Sequence, residues 1–279
     1  MQFEEFILQA LAEDIGAGDH STLCCIPVQE MGSAQLKVKE EGILAGASVA
    51  ERIVNLVDPN ARIELFISDG SKIRPGDKAF ELHASVHTIL KIERLLLNIM
   101  QRMSGIATLT NTYVQKLENY KTQLLDTRKT TPNFRWFEKE AVRLGGGVNH
   151  RMGLYDMIML KDNHIDYCGG IEKAITLAHT YRQEKNLSIL IEVETRSLDD
   201  VQRAVQTGQV DRIMLDNFPI EKVKEAVDWI QGRVKTEASG GITLETIEAY
   251  AATGVDYVSV GAVIHHASSL DLSLKAIKT

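Results

Sequence analysis

The sequence predicts an α/β protein of two unlike regions. Roughly residues 1–110 read as irregular α+β, and roughly 111–267 as an incomplete (β/α) barrel of six or seven strands. Three observations predict the barrel. Short apolar runs alternate with helical segments, which implies a parallel sheet. The units are too closely spaced for a long open sheet, and no G-x-G-x-x-G supports a dinucleotide fold. Polar residues follow the apolar runs in register: Asp126 to Lys129, Lys161, Glu194, Asp216, Ser239 and Gly261. Those are strand carboxyl ends, where barrel enzymes build their sites.

In the first region, Phe3, Phe6, Ile7, Ala10 and Leu11 recur at helical spacing. Ala34–Lys39 alternates like a half-buried strand. Ile63–Ile67 and Lys78–Leu82 read as two more strands, with turn signals at Asp69-Gly70 and Arg74–Asp77 between them. A long helix is expected from about His87 to Leu117, carrying Leu95, Leu96, Leu97, Ile99 and Met100. The barrel strands are expected at Gln123–Asp126, Gly147–Asn149, Met157–Leu160, Ile189–Val193, Arg212–Leu215, Val234–Ala238 and Tyr257–Val260. Ile171, Ala174, Ile175 and Ala178 share one face of a helix over 170–185.

Composition narrows the function classes. The chain has 279 residues, 44% hydrophobic and 25% charged, enough for a sizeable core. Its formal charge is -7, so a broad DNA-binding face is not indicated. Cys24, Cys25 and Cys168 form no C-x-x-C pair, which argues against zinc and against a disulfide scaffold. Reduced thiols fit a cytoplasmic protein. The acidic, amphipathic start Met1–Ile7 is unlike a signal peptide, and no apolar run reaches the ~18 residues of a membrane span.

Against that acidic background, cations cluster. Arg128-Lys129, His150-Arg151 and Lys161 lie after apolar runs and suit a small, densely anionic substrate with more than one carboxylate. Surface ion pairs are the plain alternative for any one of them. Glu194 and Asp216 each close a strand, where a carboxylate can hold sugar hydroxyls, a hard cation such as Mg²⁺, or positive charge growing in a transition state. Glu192 points the same way as Glu194 along its strand, toward the barrel interior. Two consecutive late loops are rich in glycine: Ser239-Gly240-Gly241, and Gly261 to His265. Late barrel loops commonly bind phosphate through backbone N–H groups.

These blocks resemble the type II phosphoribosyltransferases, and most closely the quinolinate phosphoribosyltransferase family. The resemblance covers nearly the whole chain. It runs through Glu93-Arg94, Ser104–Thr108, Thr127–Pro132, His150-Arg151, Lys161–His164, Glu192–Glu194, Leu215–Phe218, Glu237–Thr243 and Gly261–His265. It implies an N-terminal α/β sandwich, a barrel of fewer than eight strands, and the C-terminal stretch 268–279 packing back on the first region. It also implies transfer of phosphoribosyl from phosphoribosyl pyrophosphate to quinolinate, with loss of CO₂ and a requirement for Mg²⁺. Quinolinate would then meet Arg94, Arg128, His150, Arg151 and Lys161. The phosphate would meet Ser239, Gly240, Gly241, Gly261 and His265, and pyrophosphate would meet Lys129. Glu194 and Asp216 would face the ribose and the metal. The resemblance further implies a homodimer, or an assembly of dimers, in which Arg94 reaches the neighbour's site. Rival readings are a molybdenum-transport-associated homologue of the same fold, a non-catalytic ligand sensor, and a generic barrel aldolase or isomerase.

Overall fold

A computed structural model describes residues 3–277; the last two positions of the expected 268–279 stretch lie outside the described residues. Two compact units result. The first combines the chain up to Asn111, the insert Thr130–Gly146 and the chain from His266, and the second combines Thr112–Lys129 with Gly147–His265.

The chain opens with α1 (Phe3–Ile15) and α2 (His20–Cys25), followed by β1 (Met31–Val38), β2 (Gly42–Ile43) and α3 (Ala47–Val57). Then come β3 (Arg62–Leu65), β4 (Lys72–Ile73), β5 (Lys78–Ser85) and the 31-residue α4 (Val86–Lys116). The barrel begins with β6 (Gln123–Leu125), and α5 (Arg135–Leu144) lies in the insert that returns to the first unit. β7 (Met157–Leu160), α6 (Asp162–Cys168), α7 (Ile171–Glu184), β8 (Leu190–Thr195) and α8 (Leu198–Gln206) follow. The barrel continues through β9 (Arg212–Asp216), α9 (Ile220–Ile230), β10 (Lys235–Ser239), α10 (Ile247–Ala251), β11 (Tyr257–Ser259) and α11 (Ala262–His265). Strand β12 (Leu272–Ala276) ends the described chain.

In the first unit, β12, β1, β5 and β3 form one antiparallel sheet in that order. The C-terminal strand pairs with β1, Leu274 opposite Leu36. Alternation along β1 and β5 buries Leu36, Val38, Phe80 and Leu82, and Ile53 of α3 and Ile92, Leu96 and Met100 of α4 are fully buried in the same unit. Gly105 on α4 is dictated by a close approach: a Cβ there would lie 1.8 Å from the Ser268 carbonyl oxygen. Segment 130–146, placed in the barrel region by sequence, instead belongs to this unit. Its α5 buries Phe137, which stacks on Phe134 and meets Phe3 and Phe6 of α1.

The second unit is a parallel sheet of six strands in the order β6-β11-β10-β9-β8-β7. Central strands β8, β9 and β10 are buried along most of their length, as strands covered on both faces must be. Gly147–Asn149, expected as a strand, is a single bridge from Val148 to Leu125. Pairing stops there because the next N–H, on His150, is taken by the Asp126 side chain at 2.8 Å. Among the described residues no helix is long and apolar enough to cross a membrane.

Candidate active site

Every strand of the parallel sheet contributes to one cavity at the carboxyl ends, with a volume of about 510 Å³. Thr127, Arg128 and Lys129 follow β6, and His150 and Arg151 follow the Val148 bridge. Met159 and Lys161 come from β7 and its end, Glu194 from β8, Met214 and Asp216 from β9, Glu237 and Ser239 from β10, and Ser259 from β11. Cations and carboxylates thus share one concave surface, with two methionines as its apolar wall.

The cations differ in setting. Lys129 and Lys161 are exposed, Arg128 is half-buried and Arg151 is buried. Arg151 Nη1 donates to the Met157 carbonyl at 3.3 Å. Burial, and then the neighbouring Arg128, lower the Arg151 pKa. Two guanidiniums set close together repel until an anion lies between them, so the pair favours a carboxylate. Lys161 precedes α6, and its backbone N–H donates to His164 Nδ1 at 2.9 Å, fixing the turn that presents the ammonium.

Among the acids, burial and then the adjacent Asp216 raise the Glu194 pKa, and Lys161 opposes the shift. Two carboxylates this close repel unless a cation or hydroxyls come between them. Asp216 also accepts a hydrogen bond from Asn217 Nδ2 at 2.7 Å.

The glycine loops divide. Ser239 lines the cavity, whereas Gly240, Gly241, Gly261 and His265 do not. Gly240 has φ 100°, and a Cβ there would sit 2.2 Å from Asn217 Oδ1, so its first constraint is the β9 loop. Gly241 opens onto free space, with φ 61°. A Cβ on Gly261 would come within 3.0 Å of His265 Nε2 and 3.2 Å of Lys129 Cδ, so these three residues form a tight cradle. Arg94 is exposed on α4 and does not line the cavity.

At the floor of the cavity lies a buried charged layer that the sequence only hints at; His150 and Glu237 of this layer line the cavity, and Glu192 and Arg212 do not. His150 Nε2 is 3.0 Å from Glu192 and 3.4 Å from Glu237, and Arg212 Nη1 is 2.9 Å from Glu237 and 3.8 Å from Glu192. Arg212 also stacks over Tyr257, 4.4 Å from the ring centre. Both glutamates are 0% exposed. Burial lowers the His150 pKa, but the two carboxylates outweigh it and push it up to about 9. Burial and the facing Glu237 raise the Glu192 pKa. Glu237 resists its own burial and is held low by His150 and Arg212. The ligand atoms of His150, Glu192 and Glu237 lie within 4.8 Å of one another, but the Arg212 guanidinium already supplies their countercharge. Spacing could have revealed this layer: Glu192 stands two residues before Glu194 and Glu237 two before Ser239, so each shares the inward face of its strand.

Comparison with known proteins gives a consistent result. Residues 19–104 match the family described as quinolinate phosphoribosyl transferase, N-terminal domain, and residues 106–275 match its C-terminal domain. The chain is 42% identical, over 98% of its length and 81% of the relative's, to a protein of Nicotiana glauca named quinolinate phosphoribosyltransferase [decarboxylating] 2, mitochondrial. It is also 42% identical, over 98% of its length and 93% of the other's, to the probable nicotinate-nucleotide pyrophosphorylase [carboxylating] of Bacillus subtilis. The crystal structure of NadC from Streptococcus pyogenes superposes with a TM-score of 0.92 at 40% identity, covering 99% of this chain and 98% of that one. With both domains matched in order and the barrel cavity in place, the chain belongs to the quinolinate phosphoribosyltransferase family.

Proposed function

We propose that this chain transfers the phosphoribosyl group of phosphoribosyl pyrophosphate to the ring nitrogen of quinolinate and releases CO₂, yielding nicotinate mononucleotide and pyrophosphate for NAD biosynthesis. The observation that carries this reading is the single cavity gathering Arg128, Lys129, Arg151 and Lys161 beside Glu194 and Asp216. Arg128, Arg151 and Lys161 would hold the two adjacent carboxylates, orienting the pyridine by paired hydrogen bonds. The ring nitrogen is already a nucleophile, so positioning matters more than proton transfer. As pyrophosphate departs toward Lys129, positive charge grows at the ribose C1 carbon, where Glu194 and Asp216 would stabilise it. Ser239 and the Gly241 opening would receive the 5-phosphate, with the Gly261–His265 cradle beside it. Once ribosylated, the pyridinium takes up the electron pair left by CO₂.

Glu194 and Asp216 line the same cavity, and carboxylate oxygens are the donors that Mg²⁺ takes. When bound, the ion would neutralise pyrophosphate charge. We place the protein in the cytoplasm on its free cysteines, Cys24 and Cys25 both exposed. We further propose a homodimer in which Arg94 completes the neighbour's dicarboxylate pocket. Arg94 is exposed on α4, free to meet a neighbouring subunit. Mixing Arg94→Ala with Lys161→Ala protein under subunit exchange should restore activity, since one site of each heterodimer is then intact. Confirmed exchange without restored activity would remove Arg94 from that role.

The direct test mixes protein, quinolinate, phosphoribosyl pyrophosphate and Mg²⁺ and follows nicotinate mononucleotide. Its absence under conditions where both substrates bind would favour the sensor reading.

A further inference from the structure

We propose that Arg212 and Glu237, in the buried charged layer at the cavity floor, are positioning residues for quinolinate that act through His150 on Arg151. The inference rests on the proposed function and deepens it. The chain of contacts is continuous. Arg212, stacked on Tyr257, pairs with Glu237 at 2.9 Å, and Glu237 faces His150 Nε2 at 3.4 Å beside Glu192 at 3.0 Å. On the opposite edge of the ring, His150 Nδ1 lies 2.7 Å from the backbone nitrogen of Arg151. The His150 backbone is pinned as well, its N–H donating to Asp126 Oδ1 at 2.8 Å. Both ring nitrogens of His150 thus face protein groups. The ring is a spacer whose position fixes where the Arg151 backbone starts, and Arg151 is the buried guanidinium of the dicarboxylate pocket.

A purely structural ion cluster would saturate its oxygens, because a buried unpaired oxygen is costly. This one does not. Glu237 Oε1 and both Glu192 oxygens are buried without a well-directed hydrogen bond. Barrel interiors are ordinarily filled with branched apolar side chains, so a buried charged layer at the floor of a binding cavity indicates a task other than packing.

The test uses Glu237→Gln, which keeps shape and removes charge, and Arg212→Lys, which keeps charge and loses the fork geometry. Kinetics are measured with each substrate varied in turn. We expect the KM for quinolinate to rise about tenfold or more in both variants, with the KM for phosphoribosyl pyrophosphate within about twofold of wild type. In an Arg151→Ala background, Glu237→Gln should add little further to the quinolinate KM, since the two lie on one path. An unchanged quinolinate KM, equal changes for both substrates, multiplicative effects in the double variant, or failure of both variants to fold overturns the proposal. Wild-type protein that cannot use quinolinate defeats the functional reading and this inference together. Active wild type with unaffected variants defeats this inference alone.

Discussion

Two buried glutamate settings in this chain are built on opposite rules. In the first unit, Glu138 is 0% exposed and fully engaged: Arg102 Nε and Nη2 donate to Oε1 at 3.1 and 2.9 Å, while Thr131 donates its N–H to Oε2 at 2.8 Å and its hydroxyl to Oε1 at 3.0 Å. In the barrel, Glu192 and Glu237 are equally buried, yet three of their four oxygens lack a well-directed donor. Saturation marks a carboxylate that holds the fold. Incomplete saturation at the floor of a cavity marks one that serves a site, where the remaining potential acts on its neighbours.

Breaking the saturated setting should give the largest effect on stability. Glu138→Gln leaves the Arg102 guanidinium without its countercharge and should cost about 3–5 kcal/mol, read as a lower urea midpoint. A change below 1 kcal/mol would erase the contrast between the two glutamate settings. Substitution at the cavity should do the reverse. Arg128→Ala and Lys161→Ala should lower kcat/KM for quinolinate by about 2–5 kcal/mol with an unchanged circular dichroism spectrum. Near-normal kinetics in both would take these cations out of the site.

How much of this was legible in the sequence depends on the kind of interaction. The barrel strands and their polar ends were readable because apolar runs and their breaks are local signals. Lys161, Glu194 and Asp216 were found that way, and the structure places all three on one cavity. The Gly147–Asn149 strand was not readable, because Asp126, 24 positions from His150, competes for the ladder hydrogen bond. The return of 130–146 to the first unit was hidden for the same reason: Glu138 finds its partner in Arg102, 36 positions away. Arg212 looked like an ordinary strand start, since neither Glu237 nor Tyr257 is near it in sequence.

A smaller effect is expected at the glycine cradle. Gly261→Val would push on His265 Nε2 and Lys129 Cδ, so the KM for phosphoribosyl pyrophosphate should rise by about 10–100-fold while quinolinate binding, measured by calorimetry, holds. Equal loss for both ligands would mean that the cradle serves the whole cavity. The smallest effect concerns pH. The His150 pKa is raised from 6.5 to about 9 in the folded chain, so its contribution to stability is complete below 6.5 and is lost as pH rises through 9. The Tm should therefore fall between pH 7 and 9.5 in wild type and fall less in His150→Asn. Parallel declines would show that the two glutamates do not hold the ring's proton.

The cavity holds more cations than a single carboxylate needs, so acceptor choice tests the account most directly. The measurement is kcat/KM for quinolinate and for nicotinate with the same phosphoribosyl pyrophosphate and Mg²⁺. Efficient use of quinolinate, with nicotinate a poor acceptor, is the predicted result. Comparable values for the two acceptors would contradict a pocket built for two carboxylates.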